Sequence, residues 1–239
     1  MANNYFQFKQ FRINQDKAAM KVGTDGVLLG AWAAIENAQT ILDVGTGTGL
    51  IALMAAQRNT SAEIIAIDID ENACEQAYEN VQCSPWSDRI TVIHSSIQDF
   101  ASTNENIFDY IVSNPPFFNK SLKSENTARN LARHTDSLSY EELFHCSIQL
   151  SSPAATLGLI IPHLLEKEII SIKNYYDYNL SRILRVKGDI NKQIVRSLLE
   201  FNLGKATNFN EEIIYIEKGK RHAYSEEYKA LTRDFYLTF

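Results

Sequence analysis

Three cysteines, five prolines and no CxxC pair are all that 239 residues offer toward stapling by disulfide or zinc. Cys74, Cys83 and Cys146 are odd in number and lack metal-ligand spacing, which argues against both and fits a reducing compartment. Long apolar runs are missing too. The best candidate, residues 41–56, is broken by Asp43 and three glycines, so it falls short of the ~20 residues a membrane helix needs. The opening MANNYFQFKQFRIN has no continuous apolar core of the secretory kind, and a cytoplasmic location is expected. Positive charge is not in excess: 23 Lys and Arg against 29 Asp and Glu give a net charge of −6, so any polyanion must meet a local basic patch. No repeat, low-complexity tract or Gly/Ser/Pro linker divides the sequence, and one domain over 1–239 is expected, with 1–38 as an amino-terminal cap on a core of 39–239.

What the sequence does have is alternation. TILDV (40–44), EIIAID (63–68), RITVIH (89–94), FDYIVS (108–113) and ATLGLIIP (155–162) read as buried strands. Between them, LIALMAAQR, ENACEQAYENV and SYEELFHCSIQLS read as helices, and another is expected over 163–176. This rhythm predicts an α/β fold with a mainly parallel central sheet and helices on both faces. LSRILRVKG, QIVRSLLEFNL and EEIIYIEKG have no helix between them and are expected as antiparallel carboxyl-terminal strands. YSEEYKALTRDFYLTF reads as a final helix that docks an aromatic face. Residues 118–137 form a long polar connection at the carboxyl end of a strand, where α/β sheets bind ligands.

LDVGTGTGL sets Asp43, Gly45, Gly47 and Gly49 at a strand-to-helix turn, where missing side chains let a ligand approach the backbone. A dinucleotide fingerprint would carry its third glycine at Leu50, so a pyrophosphate is disfavoured. Asp43 suits a cationic group instead, and Asp68, ending the second strand, suits both hydroxyls of a ribose. A nucleoside bearing positive charge fits, and S-adenosylmethionine is the common cofactor of that kind. Asp70 and Glu71 read as helix-start acids.

FDYIVSNPPFF is the second informative stretch. Two prolines make Asn114-Pro115-Pro116-Phe117 a stiff hook with outward carbonyls. A planar amine there can donate to the Asn114 side-chain oxygen and to the Pro115 carbonyl while Phe117 stacks on its ring. Two acceptors on the amine hydrogens favour a pyramidal nitrogen and free its lone pair for in-line attack on a sulfonium methyl. No dedicated general base is required for that attack. His94, His145 and His163 read as structural, and no metal is expected; His134 and His222 sit beside basic residues, where phosphate contact and a solvated surface are both open.

LDVGTGTG, Asp68 and NPPF resemble class I, Rossmann-like S-adenosylmethionine-dependent methyltransferases that modify amino groups. FKQFRINQDKAAMKVGTDGVLLGAW (8–32), QCSPWSDRI (82–90) and YSEEYKALTRDFYLTF (224–239) extend the likeness to the bacterial tRNA1(Val) adenine-37 N6-methyltransferase family. The resemblance implies methylation of adenosine 37 N6 in a tRNA anticodon stem-loop, with Asn114, Pro115, Pro116 and Phe117 on the target base. It implies Gly45, Gly47 and Gly49 along the cofactor methionine, Asp43 near its ammonium and Asp68 on its ribose. It also implies that Thr24 caps a helix over 25–34 whose turn closes on the cofactor carboxylate. Ser96 stands where many relatives have an acid, which leaves the cofactor adenine to the backbone at Ile97 or to Asp99. Glutamine N5-methylation of a release factor and guanine N2-methylation of ribosomal RNA use similar hooks and are the rival readings.

RNA binding by an acidic chain needs concentrated cations. Lys120, Lys123, Arg129 and Arg133, following the hook, are the preferred cluster; Lys9, Arg12, Lys17 and Lys21, and separately Lys218, Lys220 and Arg221, are the alternatives.

Overall fold

A computed structural model describes residues 3–105, 107–115, 138–204 and 208–239. Short strands β1 (Tyr5–Gln7) and β2 (Arg12–Asn14) form an antiparallel hairpin, followed by α1 (Thr24–Trp32). Strictly alternating elements follow: β3 (Thr40–Val44), α2 (Leu50–Arg58), β4 (Glu63–Asp68), α3 (Glu71–Gln82), β5 (Ile90–His94), α4 (Ile97–Thr103) and β6 (Phe108–Ser113). Beyond residue 137 come α5 (Tyr140–Leu150), β7 (Ser151–Pro162), α6 (Glu166–Ile172) between two 3-10 turns, β8 (Tyr178–Asp189), β9 (Ile194–Leu203), β10 (Asn210–Glu217) and α7 (Glu226–Thr232). Among the described residues no helix is long and apolar enough to cross a membrane.

Eight strands share one sheet in the order β10-β8-β9-β7-β6-β3-β4-β5. β3 to β7 run parallel, as the alternating pattern predicts, because each strand is followed by a helix that returns the chain to the same edge. The tail corrects one expectation. β9 is antiparallel to both β7 and β8, whereas β10 runs parallel to β8. The reason lies in the strand order: β8 stands between β9 and β10, so β10 pairs with β8 rather than closing a hairpin on β9.

Both faces of the sheet are covered. Leu28 and Leu29 of α1, Leu53 and Met54 of α2, and Phe8, Ile13, Tyr228 and Phe235 from the two ends of the chain fill one core. Ile97, Phe144, Ile169 and Phe201 belong to the other, under α4, α5 and α6. The expected docking of the last aromatic segment is seen: Tyr236 lies 6.0 Å from Phe6 and Phe8, and the Lys9 ammonium donates to the backbone oxygens of Arg233 (2.5 Å) and Phe239 (2.9 Å).

One buried charge ties the two halves of the sheet together. Glu200 of β9, 2% exposed, accepts from the Tyr110 hydroxyl of β6 (2.6 Å), the Ala34 amide (2.8 Å) and the Arg182 guanidinium of β8 (2.9 Å). Arg182 also lies over the Trp32 ring at 4.3 Å. Deleting Glu200 leaves the buried Tyr110 hydroxyl without its partner and unpairs Arg182, so Glu200→Ala is expected to lower the unfolding free energy by about 3 kcal/mol in urea titration. An unchanged midpoint would show that the network carries no net stability.

Candidate active site

The strand order reverses between β3 and β6, which are neighbours although two strands separate them in sequence. Open α/β sheets bind ligands at such a switch point, outside the carboxyl ends of the strands. Here it is a cleft of about 580 Å³. Its floor is Val44, Gly45 and Gly47 at the end of β3, and Asp68 and Ile69 at the end of β4; Ser95 to Asp99 and Asn114 form the far wall.

The glycines divide by task. Gly45, Gly47 and Gly49 all have positive φ, at 72°, 57° and 80°, a region where a side chain is strained. A Cβ on Gly45 or Gly47 would meet nothing within 4 Å, so it would project into open space on the cleft side. Gly49 is different. It is the left-handed N-cap of α2, its Cβ position is 3.4 Å from Ala77 of α3, and it lies off the cleft wall. Its requirement is the close approach of two helices, a departure from the reading that put all three glycines on a ligand.

Two carboxylates bracket this turn. Asp68 accepts from the Gly47 amide (2.8 Å) through one oxygen and from the Asp70 amide (2.9 Å) through the other, and it stands on the cleft wall. Asp43 lies beneath the turn, fully buried, accepting from the Thr46 hydroxyl (2.7 Å) and the Ala52 amide (3.2 Å). Its second oxygen has no partner in the structure. Burial, reinforced by the nearby charge of Asp68, pushes the Asp43 carboxyl up to about 7. It is therefore a brace inside the turn: it is fully buried and does not line the cleft.

Asn114 follows β6, whose end is locked to β3 by the Ser113 hydroxyl donating to the Val44 carbonyl at 2.8 Å. Asn114 lines the cleft and Pro115 is buried beside it. Pro116 and Phe117 lie outside the described residues, as do Lys120, Lys123, Arg129, Arg133 and His134. On the far wall Ser96 caps α4: its hydroxyl accepts from the Asp99 amide (3.0 Å) and donates to the Asp99 carboxylate (2.6 Å). Ile97 and Asp99 both border the cleft. Thr24 does not. It is exposed, α1 begins at Thr24 itself, and the cap is Gly23 without a side-chain bond, which corrects the expected cap on a helix from 25.

Several cleft residues escaped the sequence reading. Ala18, Ala19 and Met20 overhang the cleft, and Glu142 of α5 and Leu138 just before it also line it. Glu142 closes a capping box with Ser139, whose amide and hydroxyl hold its carboxyl below the usual range. The overhang is fastened to α3. The Lys17 ammonium reaches Glu75 (2.6 Å) and Glu79 (2.7 Å), and the Lys17 amide donates to Gln76 (2.9 Å). Asn80 donates to Asn14 and Thr48 carbonyls and accepts the Asn14 amide. A readable signal existed for this last pair: Gln76 and Asn80 fall on the Ala73–Ala77–Val81 stripe of α3, and polar groups on a buried stripe need partners. Among the described residues no group of three or more His, Cys, Asp and Glu is arranged to hold a metal ion.

Comparison with known proteins agrees with this geometry. Residues 20–139 match the family model described as Methyltransferase small domain, which sets the class of protein. A predicted O-methyltransferase from Agrobacterium tumefaciens shares the fold with a TM-score of 0.70 at 19% identity, over 88% of this chain and 96% of that one. Two curated relatives carry the name tRNA1(Val) (adenine(37)-N6)-methyltransferase. The one from Flavobacterium psychrophilum is 46% identical over 97% of this chain and 99% of its own, and the one from Parabacteroides distasonis is 47% identical over 99% of each. The chain belongs to this tRNA1(Val) (adenine(37)-N6)-methyltransferase family. It is a methyltransferase, and its methyl donor is S-adenosylmethionine.

The state of Asp43 has a measurable consequence. Between its ordinary value of 3.8 and about 7 the native carboxyl keeps a proton that the unfolded chain has released, so stability falls as pH rises through that window. Asp43→Asn removes the titration and keeps an acceptor for Thr46 and Ala52. The drop in Tm from pH 5.5 to pH 8 is expected to be smaller in Asp43→Asn than in the parent; equal drops would show that Asp43 does not titrate there.

Proposed function

We propose that this enzyme transfers a methyl group to N6 of adenosine 37, beside the anticodon of tRNA1(Val). The observation that carries the reading is the placement of Asn114 on the same cleft as Gly45, Gly47 and Asp68, fixed by the Ser113–Val44 bond between the two strands on either side of the switch point. The names of the curated relatives supply the substrate.

The cleft fits S-adenosylmethionine on its own chemistry. Open space over Gly45 and Gly47 admits an extended chain against bare backbone, and the Asp68 carboxylate at the cleft wall offers acceptors for a ribose diol. Asp99, oriented by Ser96, and the backbone at Ile97 border the part of the cleft suited to an adenine ring. When bound, the cofactor supplies an electrophilic methyl on a sulfonium. Every other task falls to the chain. Asn114 accepts one hydrogen of the target amine through its side-chain oxygen, and the Pro115 carbonyl accepts the other. The amine is thereby held with its lone pair toward the methyl, and its proton becomes acidic only as the new N–C bond forms. Asp43 keeps the glycine turn in shape from beneath, without touching the ligand. Phe117 is assigned the stacking role on the target base by its place in the Asn-Pro-Pro-Phe motif, and the reaction takes place in the cytoplasm.

The test is direct. Incubated with labelled S-adenosylmethionine and tRNA lacking the modification, the enzyme is expected to yield N6-methyladenosine at position 37, identified by mass spectrometry of nuclease fragments. Asn114→Ala should lower kcat at least about a hundredfold with little change in cofactor affinity, whereas Asp68→Ala should mainly raise the cofactor Kd. Label in protein, or wild-type turnover by Asn114→Ala, would refute the reading.

A further inference from the structure

We infer that the RNA stem crosses the carboxyl edge of the sheet away from the cofactor cleft, onto a basic ridge built from the β8–β9 turn and the β10–α7 loop. This rests on the reading of the site given above and adds where the substrate lies. Both connections sit on the edge that holds Asn114. Because β8 is antiparallel to β9 and β9 to β7, β8 ends where β7 and β6 end, and β10, parallel to β8, ends there too. β8 and β10 stand three and four strands from β6, roughly 14 to 19 Å away at ordinary strand spacing.

Among the described residues, charge along that edge is lopsided. On the cofactor side Asp68, Asp70, Asp99 and Glu142 border the cleft. On the other side Lys187 and Lys192 flank the β8–β9 turn, and Lys218, Lys220 and Arg221 lie within five consecutive positions that contain no acid. A polyanion leaving the cleft is repelled in the first direction and attracted in the second. The ridge is held in shape. Asp189 accepts from the Gly219 amide (2.6 Å) and the Asn191 amide (2.9 Å), binding one loop to the other, and the Ile190 amide donates to the Glu217 carbonyl at 3.1 Å. Acids among these loops are already engaged: Glu217 accepts the His222 amide, and Glu226 pairs with Lys218 and Lys229. Lys192, Lys220 and Arg221 are exposed.

The cations of the amino-terminal cap are less available for this purpose. Lys17 is held by Glu75 and Glu79, Lys9 by the backbone of Arg233 and Phe239, Lys21 reaches the Asn3 carbonyl, and Arg12 lies over the Tyr5 ring.

The experiment measures binding of an unmodified tRNA transcript between 50 and 300 mM salt, with S-adenosylmethionine calorimetry as the check on fold. K192A/K220A/R221A is expected to raise the RNA Kd about tenfold or more. It should also flatten the log–log salt slope by about 2 to 3 while keeping cofactor affinity. The charge-preserving K220R/R221K should retain both Kd and slope. Methylation of tRNA by the parent enzyme together with an unchanged slope in the triple variant would overturn the ridge and leave the site reading standing. A parent enzyme that neither binds nor methylates RNA would overturn both.

Discussion

The conformation of five residues, Gly45 to Gly49, governs the site, and two aspartates fix it from opposite sides. Glycine reaches the three positive φ angles in these five positions without steric cost, but its freedom has to be held in one conformation by neighbouring groups. Asp68 grips the Gly47 amide from above, Asp43 grips Thr46 and the first turn of α2 from below, and the Gly45 and Thr46 amides both donate to the Ile67 carbonyl. The turn is thus tied to β4 as firmly as to its own strand. The exposed backbone of Gly45 and Gly47 needs no rearrangement to receive a ligand.

Holding the turn also sets the relation between donor and acceptor. The last residues of β3 and β6 are register partners, Val44 opposite Ser113, so the glycine turn and Asn114 begin one residue beyond a paired position. A sheet is stiff along its hydrogen-bonding direction, and methyl transfer demands a line of approach fixed to fractions of an ångström. Building both halves of the site on adjacent parallel strands meets that demand. The more distant network around Glu200 keeps β6, β8 and β9 from shifting relative to one another.

The amino- and carboxyl-terminal segments are structurally coupled to this core rather than appended to it. Asn80, 1% exposed, joins the backbone of Asn14 at the end of β2 to Thr48 inside the glycine turn, and Lys9 joins the hairpin to the final aromatic segment. These contacts put Ala18 to Met20 over the cleft. Nothing in an Ala-Ala-Met tripeptide announces such a position, because small and apolar side chains carry no chemistry of their own; the polar groups that place it, Gln76 and Asn80, lie some sixty residues further along the chain.

Much of the protein was legible from local pattern alone. Short buried apolar runs alternating with helical ones specify a parallel sheet, since parallel neighbours need a crossover connection, usually a helix. GxGxG between strand and helix, and Asn-Pro-Pro after another strand, mark where the chain must bare its backbone, and Gly45, Gly47 and Asn114 of these motifs stand on one cleft. Sequence pattern could not decide what depends on neighbours distant in the chain. Whether Gly49 faces a ligand or Ala77, whether Asp43 meets solvent or is sealed beneath the turn, and whether β10 pairs with β9 or β8 are matters of packing. A residue's type fixes what it is able to do; only the folded chain decides what stands next to it.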